Sequence, residues 1–429
     1  MTKQNFETLA IHAGYNPFDS ENSRAVPIHR TTAYMFESSE HARKLFALET
    51  LGNIYTRLGN PTQQILEDRI AILEKGKAAV ALASGTSAIH YTVLNICRVG
   101  DEIASSNQIY GGTYTMFSRI LPQCGIKVNF FDPSDEESIE KAITQKTRLI
   151  FTETVSNPSL EVPDFDMFSR IAKKHSLPLV VDSTFTTPYL LNPVDYGADV
   201  IIHSLTKWIG GHGTGIGGIV VDAGTFDWKN EKFENFNIPD ESYHGIRFAH
   251  DLGALNEIAF AIRMRVVPLR NLGACISPDN AWLFLQGLET LSLRMERHSE
   301  NAMKVSGFLN SHSNVAWVKY PGLENDKSSL IAAKYLKKGF GGMVVFGIKG
   351  GKEAGEKFID SLKLISHLAN VGDAKTLAIH PASTTHSQLS EKELEQSRIG
   401  EDMIRLSVGI ENIDDIIGDI SQALEKSCQ

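Results

Sequence analysis

Lys207 is the residue whose type and position most clearly suggest chemistry in this sequence. It lies in the segment SLTKW (residues 204–208), directly after the apolar run 199–202, and Asp182 ends another apolar run upstream. Lysine is rarely buried, because an unpaired ammonium is expensive to remove from water. The two side chains could form a buried ion pair. They are also the pair that pyridoxal phosphate (PLP) requires, namely an amine that forms a Schiff base and a carboxylate that holds the pyridinium nitrogen.

Hydroxyl and glycine residues near two of these apolar runs could bind an anion. Ser84, Gly85 and Thr86 lie between an apolar run and a helix-like segment, and Ser204 and Thr206 lie beside Lys207. Backbone N–H groups at a helix N-terminus form an anion cradle when hydroxyls and a glycine allow close approach. The alternative is an ordinary helix cap, which serine and threonine often supply. The pattern predicts a phosphate site, with capping as the competing interpretation.

Four further residues carry rings or guanidinium groups that suit a cofactor or a substrate. Tyr110 precedes two glycines, where its ring could stack on a pyridine face or lie at the surface in a turn. Arg405 enters a strand-like run, where it could bind a substrate carboxylate through two hydrogen bonds or remain solvated. Tyr55 and Arg57, near the N-terminus, leave the same alternatives open.

The glycine-rich run 210–218 is only superficially like a dinucleotide-binding loop. That fingerprint follows a strand and opens a helix. Here the glycines lead into the apolar run 219–221, so the order of the elements is wrong. We interpret the run as flexible packing beside Lys207.

The elements that must position these residues alternate between residues 77 and 222. Near-continuous apolar runs predict strands at 78–83, 102–105, 127–131, 148–152, 179–181, 200–203 and 218–221. Helix-like segments lie between them at 87–99, 113–121, 135–143 and 166–175. This alternation predicts an α/β fold with a mostly parallel central sheet covered by helices. Because ligands bind beyond the carboxyl ends of such strands, residues 84–86, Asp182 and 204–207 should meet at one edge.

The rest of the chain predicts two further parts. Residues 1–65 are loop-like but rich in apolar side chains, which favours an arm packed on another subunit over a disordered tail. Residues 223–280 are polar and aromatic, and a long helix at 281–309 follows them. Strand-like runs then occur at 343–348 and 403–408. We therefore divide the chain into an arm (1–65), a large cofactor-binding domain (66–280) and a C-terminal domain (281–429).

Composition and charge restrict the class of protein. The chain has 429 residues, of which 42% are hydrophobic and 22% charged, as expected for a globular protein of two or three domains. Its net charge of −9 and the lack of a long basic run argue against nucleic acid or an anionic membrane as the main partner. There is no signal-peptide core, membrane-length apolar run or zinc-type Cys/His spacing, so we expect a cytoplasmic protein without a metal. The scattered cysteines fit a reducing compartment: Cys97, Cys124, Cys275 and Cys428.

Taken together, these segments resemble the Cys/Met-metabolism family of PLP-dependent enzymes over nearly the whole chain. Each fragment is weak by itself, but their order and spacing make the resemblance specific. The matching segments are YTR (55–57), NPT (60–62), ASGTSAI (83–89), YGGT (110–113), SNP (156–158), VDSTF (181–185), HSLTK (203–207) and RLSVG (405–409). The resemblance implies the fold of aspartate aminotransferase-like PLP-dependent transferases, with a smaller C-terminal α/β domain.

The resemblance also implies a role for each matching residue. Lys207 would bind PLP covalently and carry protons during the reaction, with Tyr110 stacked on the ring as a candidate helper, and Asp182 would hold the ring nitrogen. Asn157 and Arg405 would bind the substrate carboxylate. The protein would be a homotetramer built as a dimer of dimers. Further cofactor contacts would come from Ser84, Gly85, Thr86, Thr184, Ser204 and Thr206, and, across a subunit interface, from Tyr55 and Arg57.

Four segments resemble one branch of this family, the O-acetylhomoserine sulfhydrylases: RNLGA (270–274), LQGLETL (285–291), NVGDAKT (370–376) and HPASTTH (380–386). This branch implies a γ-replacement that converts O-acetylhomoserine and sulfide, or a thiol, to homocysteine and acetate in methionine biosynthesis. Lys375 occupies the place where cystathionine-handling relatives often carry a glutamate. A cation there would disfavour the ammonium group of cysteine.

The sequence leaves several alternatives open. Within the family, the competing activities are those of a cystathionine γ-synthase or a methionine γ-lyase. A non-catalytic PLP-binding or sulfur-relay protein is a further alternative, against which the intact Lys207, Asp182 and Arg405 argue. The sequence does not identify the acyl group on homoserine. It also does not identify the sulfur donor, which could be sulfide, methanethiol or a sulfur-carrier protein.

Overall fold

The structure, a computed structural model, describes residues 4–381, 384 and 400–427. Cys428 and residues 382, 383, 385 and 386 of the predicted segment 380–386 lie outside the described residues. The helices, numbered in chain order, are α1 Phe6–His12, α2 Ser39–Phe46, α3 Pro61–Leu73, α4 Gly85–Ile96, α5 Gly111–Thr115, α6 Glu136–Ala142, α7 Phe165–His175, α8 Thr187–Leu190, α9 Glu234–Asn237, α10 Ala259–Met264, α11 Arg270–Leu272, α12 Pro278–Glu289, α13 Leu291–Ser311, α14 Ser329–Tyr335, α15 Gly351–Ser361 and α16 Ile413–Ser427.

The strands are β1 Ala78–Leu82, β2 Glu102–Ser106, β3 Lys127–Phe131, β4 Thr147–Glu153, β5 Leu179–Asp182, β6 Val200–Ser204, β7 Gly218–Asp222, β8 Val315–Lys319, β9 Met343–Ile348, β10 Ser366–His367, β11 Leu377–Ile379 and β12 Met403–Ser407. Strands β1 to β7, β9 and β12 fall close to the predicted apolar runs, whereas β8, β10 and β11 were not predicted.

Among the described residues, β1 to β7 form a seven-stranded sheet in the order β1-β7-β6-β5-β4-β2-β3. Neighbouring strands from β6 to β3 are parallel, whereas β7 runs antiparallel to both β1 and β6. It follows that β1 points the same way as β6. The carboxyl ends of β1, β2, β4, β5 and β6 therefore lie at one edge of the sheet, which confirms the predicted α/β fold with a mostly parallel sheet.

Apolar side chains on both faces of this sheet explain why its strands are continuous apolar runs. Successive residues of a strand point to opposite faces. Leu179 and Val181 pack in one buried cluster, which also contains residues of α7, while Val180 packs in a second cluster on the other face. Helices thus cover both faces, as expected for a parallel sheet.

A second sheet carries the C-terminal strands. In the part of the chain that the structure describes, it has five strands in the order β10-β11-β12-β9-β8. Val344 and Phe346 of β9 and Ile404 of β12 pack in a buried cluster with residues of α15 and α16. The division of the chain at residues 65 and 280 stays a prediction.

The prediction of one long helix at 281–309 was wrong, because the segment forms two helices, α12 and α13, that are interrupted at one residue. Thr290 lies at the break, with φ −112° and ψ 10°. Next to the break, Arg294 donates hydrogen bonds to the carbonyl oxygens of Trp208 at 2.6 Å and Ile209 at 3.1 Å. Tertiary contact with the turn that follows Lys207 thus decides where these helices end, and helical periodicity alone does not contain that information.

Candidate active site

A cavity of about 600 Å³ opens at the edge of the central sheet where the strand ends meet. Its wall comes from the segments that follow β1, β2, β4, β5 and β6, and from residues 369–371 and Arg405 of the C-terminal part. The structure therefore brings most of the predicted site residues together. Those that line the cavity are Ser84, Gly85, Thr86, Tyr110, Asn157, Asp182, Thr184, Ser204, Thr206, Lys207 and Arg405.

Lys207 presents its amine to this cavity from the turn after β6. Its Nζ donates a hydrogen bond to Oδ1 of Asn370 at 2.6 Å. Burial and, secondarily, the nearby charge of Arg405 lower the pKa of the Lys207 amine to about 8. The hydrogen-bond acceptor is a neutral amide, so it does not restore the ordinary pKa as a carboxylate would. Part of the population is thus a neutral, nucleophilic amine near physiological pH.

Arg405 lies on β12 with 8% of its surface exposed. Its Nη1 donates to Oδ1 of Asn157 at 3.1 Å. Burial lowers the pKa of the guanidinium to about 10, so the group stays charged at neutral pH. The nearby Tyr110 opposes this effect and raises the pKa of the Arg405 guanidinium. A buried guanidinium held by an amide oxygen is suited to binding an anionic ligand.

Asp182 ends β5 and lines the cavity, as the apolar run before it predicts. Its Oδ1 accepts a hydrogen bond from the backbone N–H of Thr184 at 2.9 Å. Burial raises the pKa of the Asp182 carboxyl, while the hydrogen bonds from Thr184 and the charge of His203 oppose that effect. A cationic ring nitrogen bound beside the carboxylate would lower its pKa further.

The segment before α4 caps the helix, and its geometry is compatible with the predicted phosphate site. The Ser84 hydroxyl caps the helix, accepting from the backbone N–H of Ser87 at 3.0 Å within a capping box. The first N–H groups of α4 remain outside the helical hydrogen-bond ladder and can bind an anion. A Cβ at Gly85 would lie 2.7 Å from Cβ of Ser204, so only glycine allows β6 to approach this closely.

Tyr110 directly precedes α5, and 49% of its surface is exposed at the cavity. A Cβ at Gly112 would lie 2.5 Å from the Tyr110 ring, so that glycine leaves room for the ring. The Tyr110 ring is thereby free to face a ligand.

Thr206 fastens the loop after β6, because its Oγ1 accepts from the backbone N–H of Gly217 at 3.1 Å.

Three predicted site residues do not line the cavity of their own chain. Tyr55 is 40% exposed, and the Arg57 guanidinium lies 5.1 Å from the centre of its ring. The Lys375 side chain is 71% exposed, and its amine lies 3.7 Å from the carboxylate of Asp373. The roles predicted for all three stay predictions.

Two residues of the cavity wall had no role assigned from the sequence. Glu153 ends β4, and its Oε1 accepts from the backbone N–H of Tyr110 at 2.7 Å. The sequence carries a signal for Glu153, since it ends a buried apolar run just as Asp182 does. Asn370 lies 163 positions from Lys207, and no local pattern joins the two.

The residues of the cavity fit PLP in the chemistry of their functional groups. Lys207 supplies an amine of lowered pKa for the aldehyde, and Asp182 supplies a carboxyl group for the ring nitrogen. Because Gly85 has no Cβ, the Ser204 side chain can lie close to the N-terminus of α4. Backbone N–H groups and hydroxyls thus lie together there, as a phosphate cradle requires. We conclude that the donor set matches the aldehyde, pyridine and phosphate groups of this cofactor.

We expect Asn370→Asp to raise the pKa of the Lys207 amine by about one to three units, because a carboxylate within hydrogen-bond distance stabilises the ammonium. Only the neutral amine attacks an aldehyde. The rate at which the cofactor-free protein takes up PLP, measured against pH, should be half-maximal near pH 8 in the unchanged protein, given the lowered pKa. In the variant the half-maximum should move to higher pH.

Asn370→Ala is the matched control, since it removes the hydrogen-bond acceptor without adding charge. Its midpoint should stay closer to that of the unchanged protein. An unaltered midpoint in Asn370→Asp, in protein with the normal circular dichroism spectrum, would contradict the inferred contact.

The chain belongs to the Cys/Met metabolism PLP-dependent enzyme family, whose model matches residues 7–425. It is therefore a PLP-dependent enzyme, and small-molecule substrates fit this family.

Three relatives, two compared by sequence and one by structure, are similar to this chain over nearly its whole length. The chain is 52% identical over 425 residues to an O-acetyl-L-homoserine sulfhydrylase of Leptospira meyeri, covering 98% of this chain and 96% of that protein. It is 48% identical to a homocysteine synthase of Schizosaccharomyces pombe, covering 98% of each chain. A crystal structure of a putative O-acetylhomoserine (thiol)-lyase from Campylobacter jejuni, which contains N'-pyridoxyl-lysine-5'-monophosphate, superposes with a TM-score of 0.95 at 45% identity, covering 98% of this chain and 100% of that one.

Within the described residues, no helix is long and apolar enough to cross a membrane. The same residues contain no group of three or more His, Cys, Asp or Glu side chains that could hold a metal ion.

Proposed function

We propose that the protein converts O-acetyl-L-homoserine and sulfide, or another small thiol, to L-homocysteine and acetate in methionine biosynthesis. The observation that carries the proposal is the single cavity shared by Lys207, Asp182 and Arg405. The choice of substrate follows relatives that are 46–52% identical and are named O-acetyl-L-homoserine sulfhydrylases.

Arg405 binds the α-carboxylate of the substrate in this proposal. A planar guanidinium can donate two parallel hydrogen bonds to a carboxylate, and Asn157 fixes its orientation. Because the group is buried, its attraction for an anion is weakly screened by water. The carboxylate would thus be anchored close to Lys207.

Lys207 moves the protons. Bound PLP supplies an electron sink that stabilises negative charge at the substrate's Cα. With its pKa lowered to about 8, the Lys207 amine can remove the Cα proton at neutral pH and carry protons between neighbouring positions, with Tyr110 as a candidate helper. Over the whole reaction the Cγ–O bond to acetate breaks, a Cγ–S bond forms, and the proton of the sulfur donor leaves with acetate.

Other cavity residues would hold the cofactor. Asp182 would bind the ring nitrogen, and the first backbone N–H groups of α4 would bind the phosphate. The proposed contacts to the phosphate and its surroundings are Ser84, Gly85, Thr86, Thr184, Ser204 and Thr206.

The charges of the cavity offer no free partner for the ammonium group of cysteine. Its charged lining residues, among those the structure describes, are Glu153, Asp182, Lys207 and Arg405. In this proposal Asp182 binds the ring nitrogen, and Glu153 is only 7% exposed and accepts from the backbone N–H of Tyr110. A small sulfur nucleophile without an ammonium group therefore suits this cavity better than cysteine.

The decisive assay supplies purified holoenzyme and O-acetyl-L-homoserine with sulfide, with methanethiol, with cysteine or with no thiol. We expect homocysteine from sulfide at the highest kcat/KM. Faster formation of cystathionine would indicate a cystathionine γ-synthase, and 2-oxobutyrate in the absence of a thiol would indicate a γ-lyase. Repeating the sulfide reaction with O-succinylhomoserine identifies the acyl group. If neither sulfide nor methanethiol is used except at high concentrations, a sulfur-carrier protein becomes the donor to test.

We propose a homotetramer arranged as a dimer of dimers, in which Tyr55 and Arg57 reach the phosphate of a neighbouring subunit. Tyr55 is exposed, and neither residue lines the cavity of its own chain. Mixed oligomers of Arg57→Ala and Lys207→Ala chains should regain activity that neither variant has alone, because one cavity type would then receive both intact groups. If co-expression restores no activity, the arrangement is contradicted.

We place the protein in the cytoplasm, consistent with its unpaired Cys97, Cys124 and Cys275.

A further inference from the structure

Glu153 is a buried carboxyl group in the cavity wall that the proposed reaction does not use. It ends β4 and is 7% exposed. Its Oε1 accepts from the backbone N–H of Tyr110 at 2.7 Å, and the carboxyl group also accepts from the backbone N–H of Asn157. One side chain thus joins two loops, one after β2 and the other after β4.

Both loops carry side chains that the proposed function needs. Tyr110 presents its ring to the cavity at the start of α5, and Oδ1 of Asn157 accepts the hydrogen bond from Arg405. A backbone N–H that loses its buried acceptor is left unsatisfied, and the loop shifts to find another partner. A movement of either loop would therefore displace the ring or the guanidinium.

The surroundings of Glu153 also determine its charge. β4 and β5 are parallel neighbours in which Glu153 lies opposite Asp182, so both carboxyl groups stand on the same face of the sheet. Burial raises the pKa of Glu153 well above its ordinary value, and the charge of Asp182 is the second cause of this increase. The other charged groups that line this cavity, in the described chain, are Lys207 and Arg405. Burial and the Asp182 carboxylate thus both disfavour the charged form of Glu153.

We propose that Glu153 is a positioning residue that fixes the Tyr110 and Asn157 loops, and through them the cofactor-facing ring and the carboxylate-binding pair Asn157–Arg405. This inference rests on the proposed function for the identity of the substrate, but not for the role of the loops. Glu153 acts here through the acceptor oxygens at the end of its side chain, which reach the backbone N–H groups of Tyr110 and Asn157.

The test compares Glu153→Gln, Glu153→Asp and Glu153→Ala holoenzymes. We measure the visible circular dichroism of bound PLP, the dissociation constant of PLP, and kcat and KM for O-acetyl-L-homoserine. Glu153→Gln keeps one acceptor oxygen at the same length and should be impaired less than Glu153→Ala in each constant. Glu153→Ala should weaken PLP binding, alter the dichroic band and raise KM at least about tenfold, with a smaller effect on kcat. Glu153→Asp is one methylene too short for both contacts and should resemble Glu153→Ala.

Ser105→Ala is the matched control for the loss of a buried polar group. Ser105 is buried in β2, does not line the cavity, and donates to the carbonyl of Ser106. The midpoint temperature of thermal unfolding should fall in Ser105→Ala, as it should in Glu153→Ala. KM and the dichroic band of Ser105→Ala should nevertheless stay unaltered.

Two outcomes would overturn the inference. Glu153→Ala with normal dichroism, PLP affinity and KM would remove the positioning role. Glu153→Gln as impaired as Glu153→Ala would mean that an acceptor oxygen at this position does not by itself fix the loops. If the unchanged protein does not use O-acetyl-L-homoserine, the proposed function fails, yet the dichroism and PLP affinity still decide the role of Glu153.

Discussion

Lys207→Ala should abolish turnover, with a loss of at least about four orders of magnitude in kcat, and should remove the visible absorption band of covalently bound PLP. Removal of a nucleophile that also carries protons eliminates several steps at once, which explains so large an effect. The structure supports this expectation, because Lys207 is the lysine that lines the cavity among the described residues and its amine has a lowered pKa.

Two controls separate this effect from misfolding. Lys337→Ala removes an exposed lysine outside the cavity and should change neither activity nor absorbance. Lys207→Arg keeps a cation but cannot form the covalent bond, so it should be as inactive as Lys207→Ala. A visible band and turnover retained in Lys207→Ala would show that another group binds the cofactor.

The same residue should destabilise the cofactor-free protein. The pKa of Lys207 is about 8 in the folded chain and near 10.5 in the unfolded chain, so the folded state binds its proton less tightly. Below pH 8 this difference costs on the order of 3 kcal/mol. Stability recovers as the pH rises from 8 to 10.5, where the unfolded chain holds more protons. Lys207→Met should therefore unfold less readily at pH 7, and its advantage should shrink by pH 10. An equal urea midpoint at pH 7 would argue against this cost.

Arg405→Leu should lower kcat/KM for O-acetyl-L-homoserine by about 10²- to 10³-fold, mostly through KM. The loss corresponds to about 3–4 kcal/mol, the size expected for a charge-assisted pair with the substrate carboxylate. Leucine also leaves Oδ1 of Asn157 without the donor it has in the structure. The absorbance of bound PLP should remain, which separates a substrate-binding defect from loss of the cofactor.

Arg405→Lys is the informative control. Lysine keeps the charge but lacks the planar pair of donors, so KM should lie between those of the other two proteins. In Arg405→Leu the pKa of Lys207 should rise, because the charge of Arg405 is one of the two causes that lower it. The acid limb of the pH–rate profile should therefore move to higher pH. An unchanged KM in Arg405→Leu would place the carboxylate elsewhere.

Local pattern predicts the central sheet well, because most of its strands are buried on both faces and read as short apolar runs; the edge strand β3 is less buried. That burial also makes strand ends recognisable, which is how Asp182 and Lys207 stand out. The same reasoning applies to Glu153, whose position at the end of β4 matches that of Asp182. It assigns no role to Glu153, because its partners are backbone N–H groups that no pattern of side chains reveals.

Other outcomes depend on contacts between distant parts of the chain. The break between α12 and α13 follows from packing on the turn after Lys207, where Arg294 binds backbone carbonyls. The exposed position of Lys375 is equally invisible in sequence, since the resemblance places it near the substrate while its amine faces Asp373.

The sequence by itself determined the α/β fold and singled out the pair Lys207 and Asp182, because these follow from local hydrophobicity and from residue types at strand ends. Its resemblance to known sequences indicated the family. The tertiary structure alone decided how that pair is tuned. It brings Asn370 and Arg405 from the C-terminal part to the amine of Lys207 and places Glu153 against the loop of Tyr110. The physical reason is that burial and electrostatic coupling act through space across a few ångströms, whereas these groups lie far apart along the chain.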